Sequence, residues 1–364
     1  MRSDLSDDSV YRTANNPWDA MKNPCQAFRL SLQILIGSII CSMLGSVAFA
    51  NEPTKFLLDF VPYGKHAFFY AALEKGFWKD AGFDVTILRG EGSAATVSAL
   101  AAGAVDFAFA DAPTSIIGRS KGAKIKLVGV IHEKSLYSIG WLDGVAAIKG
   151  PRDLEGKRIA SSAGDANRVL FPALAQIVSI DQSKVTWVTM TPPARAASLI
   201  AGQADATVLL ATEIPTFTAR AKEAGKKFEY FLYSDYGLNL YGGGLIARDD
   251  QITGQPERVK RFVQATFNGI AWAVENPEEA LQMFLKDNPA VDPAEAREHF
   301  RIALAHLMTD NSKRFGIGIM DETKMKHTVD VVAKYYDAPG LQMDDVYTNQ
   351  FLTPRIVPTE GRLH

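Results

Sequence analysis

Four carboxylates stand where strand patterns of the sequence end: Glu91, Asp111, Asp165 and Glu213. Lys65 is the cation near them in the predicted loops. Around them come the hydroxyls of Ser93, Thr114, Ser162 and Thr212, and the rings of Tyr63, His66, Phe69, Tyr236 and Tyr241. Convergent polar groups on a few loops, with aromatic surface beside them, make a small-molecule pocket. An excess of acceptors over cations suits a neutral or cationic heteroaromatic with N–H groups to donate and a face to stack. A dedicated sulfonate or nitrate site would instead want basic side chains or many free N–H donors. That option stays open. Small-residue turns at 90–94 and 161–166 begin helices, so Gly92, Ser93, Ala94 and Ala166 can present backbone N–H groups to an anion.

Each of these residues also has a plainer reading. Tyr63 and Phe69 fit a core, His66 can brace the first turn, and Glu91 can be solvated. Asp111 can cap a helix through the N–H of Thr114, and Glu213 can form a hinge salt bridge. Tyr236 and Tyr241 can be hinge packing, and the glycines at 242–244 read as a flexible crossover. If the pocket reading holds, Asp111→Ala or Glu213→Ala weakens binding without unfolding the chain.

Other chemistries lack their residues. The six histidines are scattered without metal-ligand spacing. No nucleophile-elbow phrase occurs, and neither does a phosphate-binding Gly-x-x-x-x-Gly-Lys loop. Both cysteines, Cys25 and Cys41, precede residue 50. A chain processed after that point has no disulfide, thiolate nucleophile or cysteine-held metal, and no cofactor is expected. The net charge of −2 carries no nucleic-acid footprint.

The elements that position these residues repeat strand, helix, strand. Strand patterns at 56–60, 84–89 and 105–110 alternate with helix patterns at 67–75 and after Gly92, giving a parallel sheet with crossover helices. Ligands of such sheets sit outside the carboxyl ends of the strands, which is where the candidate residues fall. A helix at 112–121 and a strand at 125–131 follow. Strands at 138–141 and 144–148 are expected to carry the chain into a second lobe. There "GQADATVLLATEIP" echoes "AGAVDFAFADAPT", so two similar lobes facing each other are expected. The chain returns at about 236–247, and helices with a few irregular turns dominate after Ala247, beginning with a long one at 256–276. The boundaries expected are an extension and leader at 1–50, lobe one at 51–143, lobe two at 144–246 and the rest of lobe one at 247–364.

The phrase "AALEKGFWKDAGFDV", followed by "SALAAGAVDFAFAD", resembles the opening of type II periplasmic substrate-binding proteins of ABC importers. "PRDLEGKRI" is similar to the phrase that opens their second lobe, and "VYTNQFL" to the end phrase of the binders of thiamine-pyrimidine precursors. Nitrate, sulfonate and taurine binders are neighbours of that branch. The resemblance implies a two-lobed α/β fold of mixed sheets flanked by helices, a two-strand hinge and a small-molecule ligand. It further implies permease and ATPase subunits as partners, a single chain at work and no catalysis. The same fold family includes the eukaryotic thiamine pyrimidine synthase, whose Lys-x-x-x-His pair matches Ala110 and Thr114 here, and whose cysteine-rich motif matches the glycines at 242–244. The residues that reaction consumes are missing.

Residues 22–50 read as a leader: Lys22 and Arg29, an apolar run at about 30–47, and Ala48-Phe49-Ala50 as cleavage site. Export to the periplasm with cleavage after Ala50 is expected, with Met21 as an alternative start. A membrane anchor is the other reading of so long an apolar run.

Overall fold

The computed structural model of the protein describes residues 51–355, apart from 337 and 339. The expected leader, its cleavage point and both cysteines lie outside the described residues.

The chain begins with β1 (Glu52–Leu57), in which Thr54 and Phe56 alternate inward. A 3-10 turn (Gly64–His66) leads into α1 (Ala67–Glu74), whose Ala67–Ala72 stretch is wholly buried. Then come α2 (Phe77–Asp80), β2 (Phe83–Leu88), α3 (Ser93–Ala101), β3 (Phe107–Asp111), α4 (Ala112–Ser120) and β4 (Ile125–Val130). The next stretch supplies β5 (Tyr137–Leu142), β6 (Arg158–Ser161), α5 (Ala166–Val178), β7 (Thr186–Thr189), α6 (Ala194–Ile200), β8 (Ala206–Leu210), α7 (Ile214–Glu223) and β9 (Phe228–Leu232). β10 (Gly243–Arg248) follows, and the rest is helical. Its helices are α8 (Asp249–Gly254), α9 (Pro256–Glu275), α10 (Pro277–Asp287), α11 (Pro293–Leu307), α12 (Asp310–Phe315), α13 (Glu322–Tyr335) and α14 (Met343–Val346).

Two five-stranded sheets result, ordered β2-β1-β3-β10-β4 and β7-β6-β8-β5-β9. In the first, β1 is parallel to β2 and β3, while β10 runs antiparallel between β3 and β4. In the second, β6 is parallel to β7 and β8, while β5 runs antiparallel between β8 and β9. The internal echo in the sequence thus corresponds to one topology built twice.

The sheets correct the expected crossings. β5 was expected in the first lobe and pairs in the second sheet, so the chain leaves at 131–136, before the boundary at 143/144. The segment 144–148 is a turn, not a strand. The return falls at 233–242, because β10 already pairs with β3 at Gly243. Both misplaced strands are buried on both faces, so their residues carry no period that tells one sheet from the other.

Phe262 of α9 stacks on Phe107 at 3.8 Å and lies against Phe56 and Trp78, which anchors the long helix under the first sheet. Leu199 of α6 and Phe217 of α7 close the outer face of the second sheet against Leu142, Leu209 and Phe228. A third cluster joins the two, running from Ile116 of α4 through Tyr137 to Leu170 of α5 and Val332 of α13.

Candidate functional site

The carboxyl ends of the parallel strands of both sheets meet at one buried cavity. Asp59 and Phe60 follow β1, Gly92 and Ser93 follow β2, and Asp111 ends β3. From the second sheet come Asp165 and Ala166 after β6, and Leu210 and Glu213 at β8. His132, Leu136 and Gly242 of the two crossing segments, with Tyr137 of β5 and Gly243 of β10, complete the lining. The free space is about 30 Å³, small against the roughly 300–1,000 Å³ of a typical ligand site. The loops are shut on each other: Ala94 N–H donates to Gly164 C=O at 3.3 Å. Gly92 allows this approach. Its φ is +121°, and a Cβ there would lie 2.4 Å from the Gly164 oxygen.

Three polar clusters reach the space through Asp59 and Lys65, through Asp111 and Tyr137, and through Asp165 and Glu213. In the first, Lys65 Nζ donates to Asp59 Oδ2 at 2.5 Å, and the His66 ring meets Asp59 Oδ1 at 2.8 Å. The Tyr63 N–H donates to His66 Nδ1, so the ring proton sits on Nε2 and points at Asp59. Burial alone would raise the Asp59 pKa, but Lys65 and then His66 outweigh it and hold it below the usual carboxylate range. Burial, reinforced by Lys65, lowers His66 to about 4 and keeps it neutral.

The second cluster centres on Asp111. Its Oδ2 accepts from the N–H and the hydroxyl of Thr114 at 2.9 and 2.7 Å, capping α4. The Tyr137 hydroxyl donates to its Oδ1. Burial raises Asp111 to about 6, against the lowering effect of the Tyr137 and Thr114 bonds. The Ser93 hydroxyl accepts from the Asp111 N–H, fixing the start of α3 to the end of β3.

The third cluster is a buried guanidinium. Arg195 of α6 is 0% exposed. It donates to Glu213 Oε1 and to the Val208 carbonyl, both at 2.6 Å, and lies 3.6 Å from Asp165. Asp165 also caps α5 through the Asn167 N–H. Burial raises the Asp165 pKa despite Arg195. Burial and the nearby Glu213 push the Tyr63 hydroxyl up as well.

Residues 64–280 match the family described as NMT1/THI5 like. The chain belongs to the NMT1/THI5-like family. The formylaminopyrimidine-binding protein of Halalkalibacterium halodurans is 28% identical over 239 residues, spanning 65% of this chain and 71% of that one. The 4-amino-5-hydroxymethyl-2-methylpyrimidine phosphate synthase of Uromyces fabae is 22% identical over 311 residues, spanning 82% and 87%. Among solved structures, the alkanesulfonate-binding protein SsuA of Xanthomonas axonopodis pv. citri, bound to MOPS, superimposes with a TM-score of 0.60 at 17% identity. It covers 85% of this chain and 100% of that one. The fold is that of the type II periplasmic binding proteins.

Within this NMT1/THI5-like chain, the structure brings Gly92, Ser93, Asp111, Asp165, Ala166 and Glu213 together at the cavity. Ala94 and Thr114 stand just behind, one seaming the two loops and the other capping with Asp111. Other candidates lie elsewhere. Glu91 is exposed and paired with Arg89. Phe69 is a core ring against Phe56 and Phe109. His66 braces Asp59, and Tyr63 lies on a side groove with Glu213 and His299. Tyr236 packs edge-on against Phe231, and Tyr241 accepts from the Asp321 N–H through its hydroxyl. Ser162 and Thr212 are buried, with hydroxyls that have no hydrogen-bond partner. The glycines at 243 and 244 are strand residues of β10, not a flexible link, chosen for close packing against Phe109 and Leu127.

Sequence reading missed Asp59, His132, Tyr137 and Arg195. Asp59 lay inside the expected strand, and the "LLDF" phrase, a carboxylate among apolar residues, was its signal. Arg195 carried no signal, because a cation in a short helix ordinarily faces water.

Proposed function

We propose that this protein is the solute-binding component of an ABC importer, exported to the periplasm. Between its two lobes it captures a small neutral or cationic heteroaromatic molecule, pyrimidine-like in its donors. One observation carries this reading: the lining cation Lys65, and Arg195 behind the lining carboxylates Asp165 and Glu213, are already engaged. Lys65 is held by Asp59, and Arg195 by Glu213 and Asp165. Four carboxylates, Asp59, Asp111, Asp165 and Glu213, line the cavity against the lysine Lys65, so the wall is richer in acceptors than in cations for a ligand that brings N–H groups. A sulfonate would find no uncommitted guanidinium among the described lining residues. The name of the Halalkalibacterium relative points the same way.

The ligand leaves unaltered in this reading. The positions that resemble the synthase's lysine and histidine hold Ala110, inside β3, and Thr114, engaged in capping. A closed form would then be delivered to a membrane permease with its ATPase.

Thermal unfolding tests the reading, with 4-amino-5-hydroxymethyl-2-methylpyrimidine, riboflavin and MOPS as probes. A probe at 100 times its Kd adds about 2.7 kcal/mol of stability by mass action. Stabilisation by the aminopyrimidine is expected. Stabilisation by MOPS alone would assign the sulfonate class instead, and release of a pyrimidine phosphate would make the protein an enzyme.

A further inference from the structure

His132 sits where the two crossing segments touch. Its N–H donates to the Gly243 carbonyl at 2.9 Å, and its own carbonyl accepts from the Gly242 N–H at 2.8 Å. Gly242 is required by this contact, since a Cβ there would lie 2.9 Å from the His132 Cβ, while a Cβ on Gly243 would meet the Phe109 ring at 2.3 Å and approach His132 Nδ1 to 3.1 Å. The ring also meets Phe109 edge-on at 5.5 Å. Its backbone and one ring face are thus fixed by the fold. The residue is 1% exposed and lines the cavity beside Asp59, Lys65 and Asp111.

Its Nε2 is buried without a hydrogen-bond partner. His66, close by, has both ring nitrogens bonded. A buried polar atom left unpaired is a standing cost to the fold, and such groups concentrate where function uses them. An apolar side chain of similar volume would pack against Phe109 equally well without that cost. Resting on the heterocycle-binding reading above, we propose that His132 is a specificity-determining residue, whose Nε2 hydrogen-bonds the polar edge of the bound molecule. Because the ring is neutral, it can accept from a ligand N–H or donate to a ring nitrogen, by choice of tautomer. Its attachment to both crossing segments holds that nitrogen in place before the ligand arrives.

The test uses the full chain and the variants His132→Leu and His132→Gln. Titration calorimetry with 4-amino-5-hydroxymethyl-2-methylpyrimidine and with MOPS is paired with the Tm of each ligand-free protein. For His132→Leu, binding of whichever probe the wild type holds is expected to weaken about tenfold to a hundredfold, while the ligand-free Tm stays level or rises. His132→Gln, whose amide reaches the Nε2 position, is expected to recover part of the affinity. A structural histidine would behave oppositely, with a lower Tm and unchanged affinity in His132→Leu, and that result overturns the inference. So does a Leu variant that binds within twofold of the wild type. Should the wild type bind neither probe, the heterocycle reading fails separately. A Tm for His132→Leu at or above wild type then still supports the unpaired nitrogen as a liability kept for binding, and a lower Tm overturns it.

Discussion

Arg195 illustrates how a charge can be decisive without touching solvent. Two carboxylates and two backbone carbonyls surround it. Removing the cation leaves Glu213 and Asp165 buried and uncompensated, so Arg195→Met is expected to cost about 3–5 kcal/mol in urea unfolding. Arg195→Met with Glu213→Gln should recover part of that loss. By the same physics Glu213→Ala strands the guanidinium, so the expectation that it weakens binding without unfolding is revised: stability falls as well. Asp111 is the safer probe, since Asn keeps the capping oxygen. Its pKa is raised from 3.8 to about 6 by burial. Between those values the folded state holds a proton that the unfolded state has lost, so its contribution fades as pH rises through 6. Wild type is therefore expected to gain about 2 kcal/mol on Asp111→Asn as pH falls from 6 to 4. A difference independent of pH would refute the raised pKa.

At the scale of elements, the seam between the β2–α3 turn and the β6–α5 turn decides whether the cleft can shut. Gly92 adopts φ +121° and ψ 146° and faces the Gly164 carbonyl. A side chain there is strained by about 1–3 kcal/mol and pushes the loops apart. Gly92→Ala is expected to weaken ligand binding about tenfold or more in calorimetry while secondary structure, followed by circular dichroism, is retained. Wild-type affinity in that variant would show that the seam does not govern closure.

Over the whole molecule, α11 carries a second seam. His299 meets Thr216 at 2.9 Å, and Glu295 meets Arg220 at 3.2 Å, linking a late helix to α7 of the second sheet. The ion pair is partly exposed and contributes little alone. Thr216→Val with Arg220→Ala is expected to enlarge the radius of gyration of the ligand-free protein in small-angle scattering, with ligand restoring the compact form. Acid acts on the whole fold through buried histidines. His66 and His299 are both lowered from 6.5 to about 4 by burial, and then by Lys65. The unfolded chain takes up protons there below 6.5 and the folded chain does not, so stability is full above 6.5 and lost toward 4. His132 is lowered in the same direction, so three buried histidines outweigh the opposite trend of Asp111 and a net loss of stability from pH 7 to 4.5 is expected in urea unfolding.

The sequence by itself determined the elements and their repeat. Helix starts at Asp111 and Asp165 were written in a carboxylate before an apolar run, and the twofold echo was written in "AVDFAFAD" and "ADATVLLA". It also placed Gly92, Ser93, Asp111, Asp165, Ala166 and Glu213 at the carboxyl ends of strands, because strand order and ligand side follow from local pattern. Only the tertiary structure decided which sheet β5 and β10 join, since a fully buried strand has no polar face to betray its neighbours. The same holds for charge. Arg195 lies 18 residues from the Glu213 it neutralises, and His132 meets Gly242 across more than a hundred residues of chain. Those pairings depend on three-dimensional closure, which no local spacing encodes.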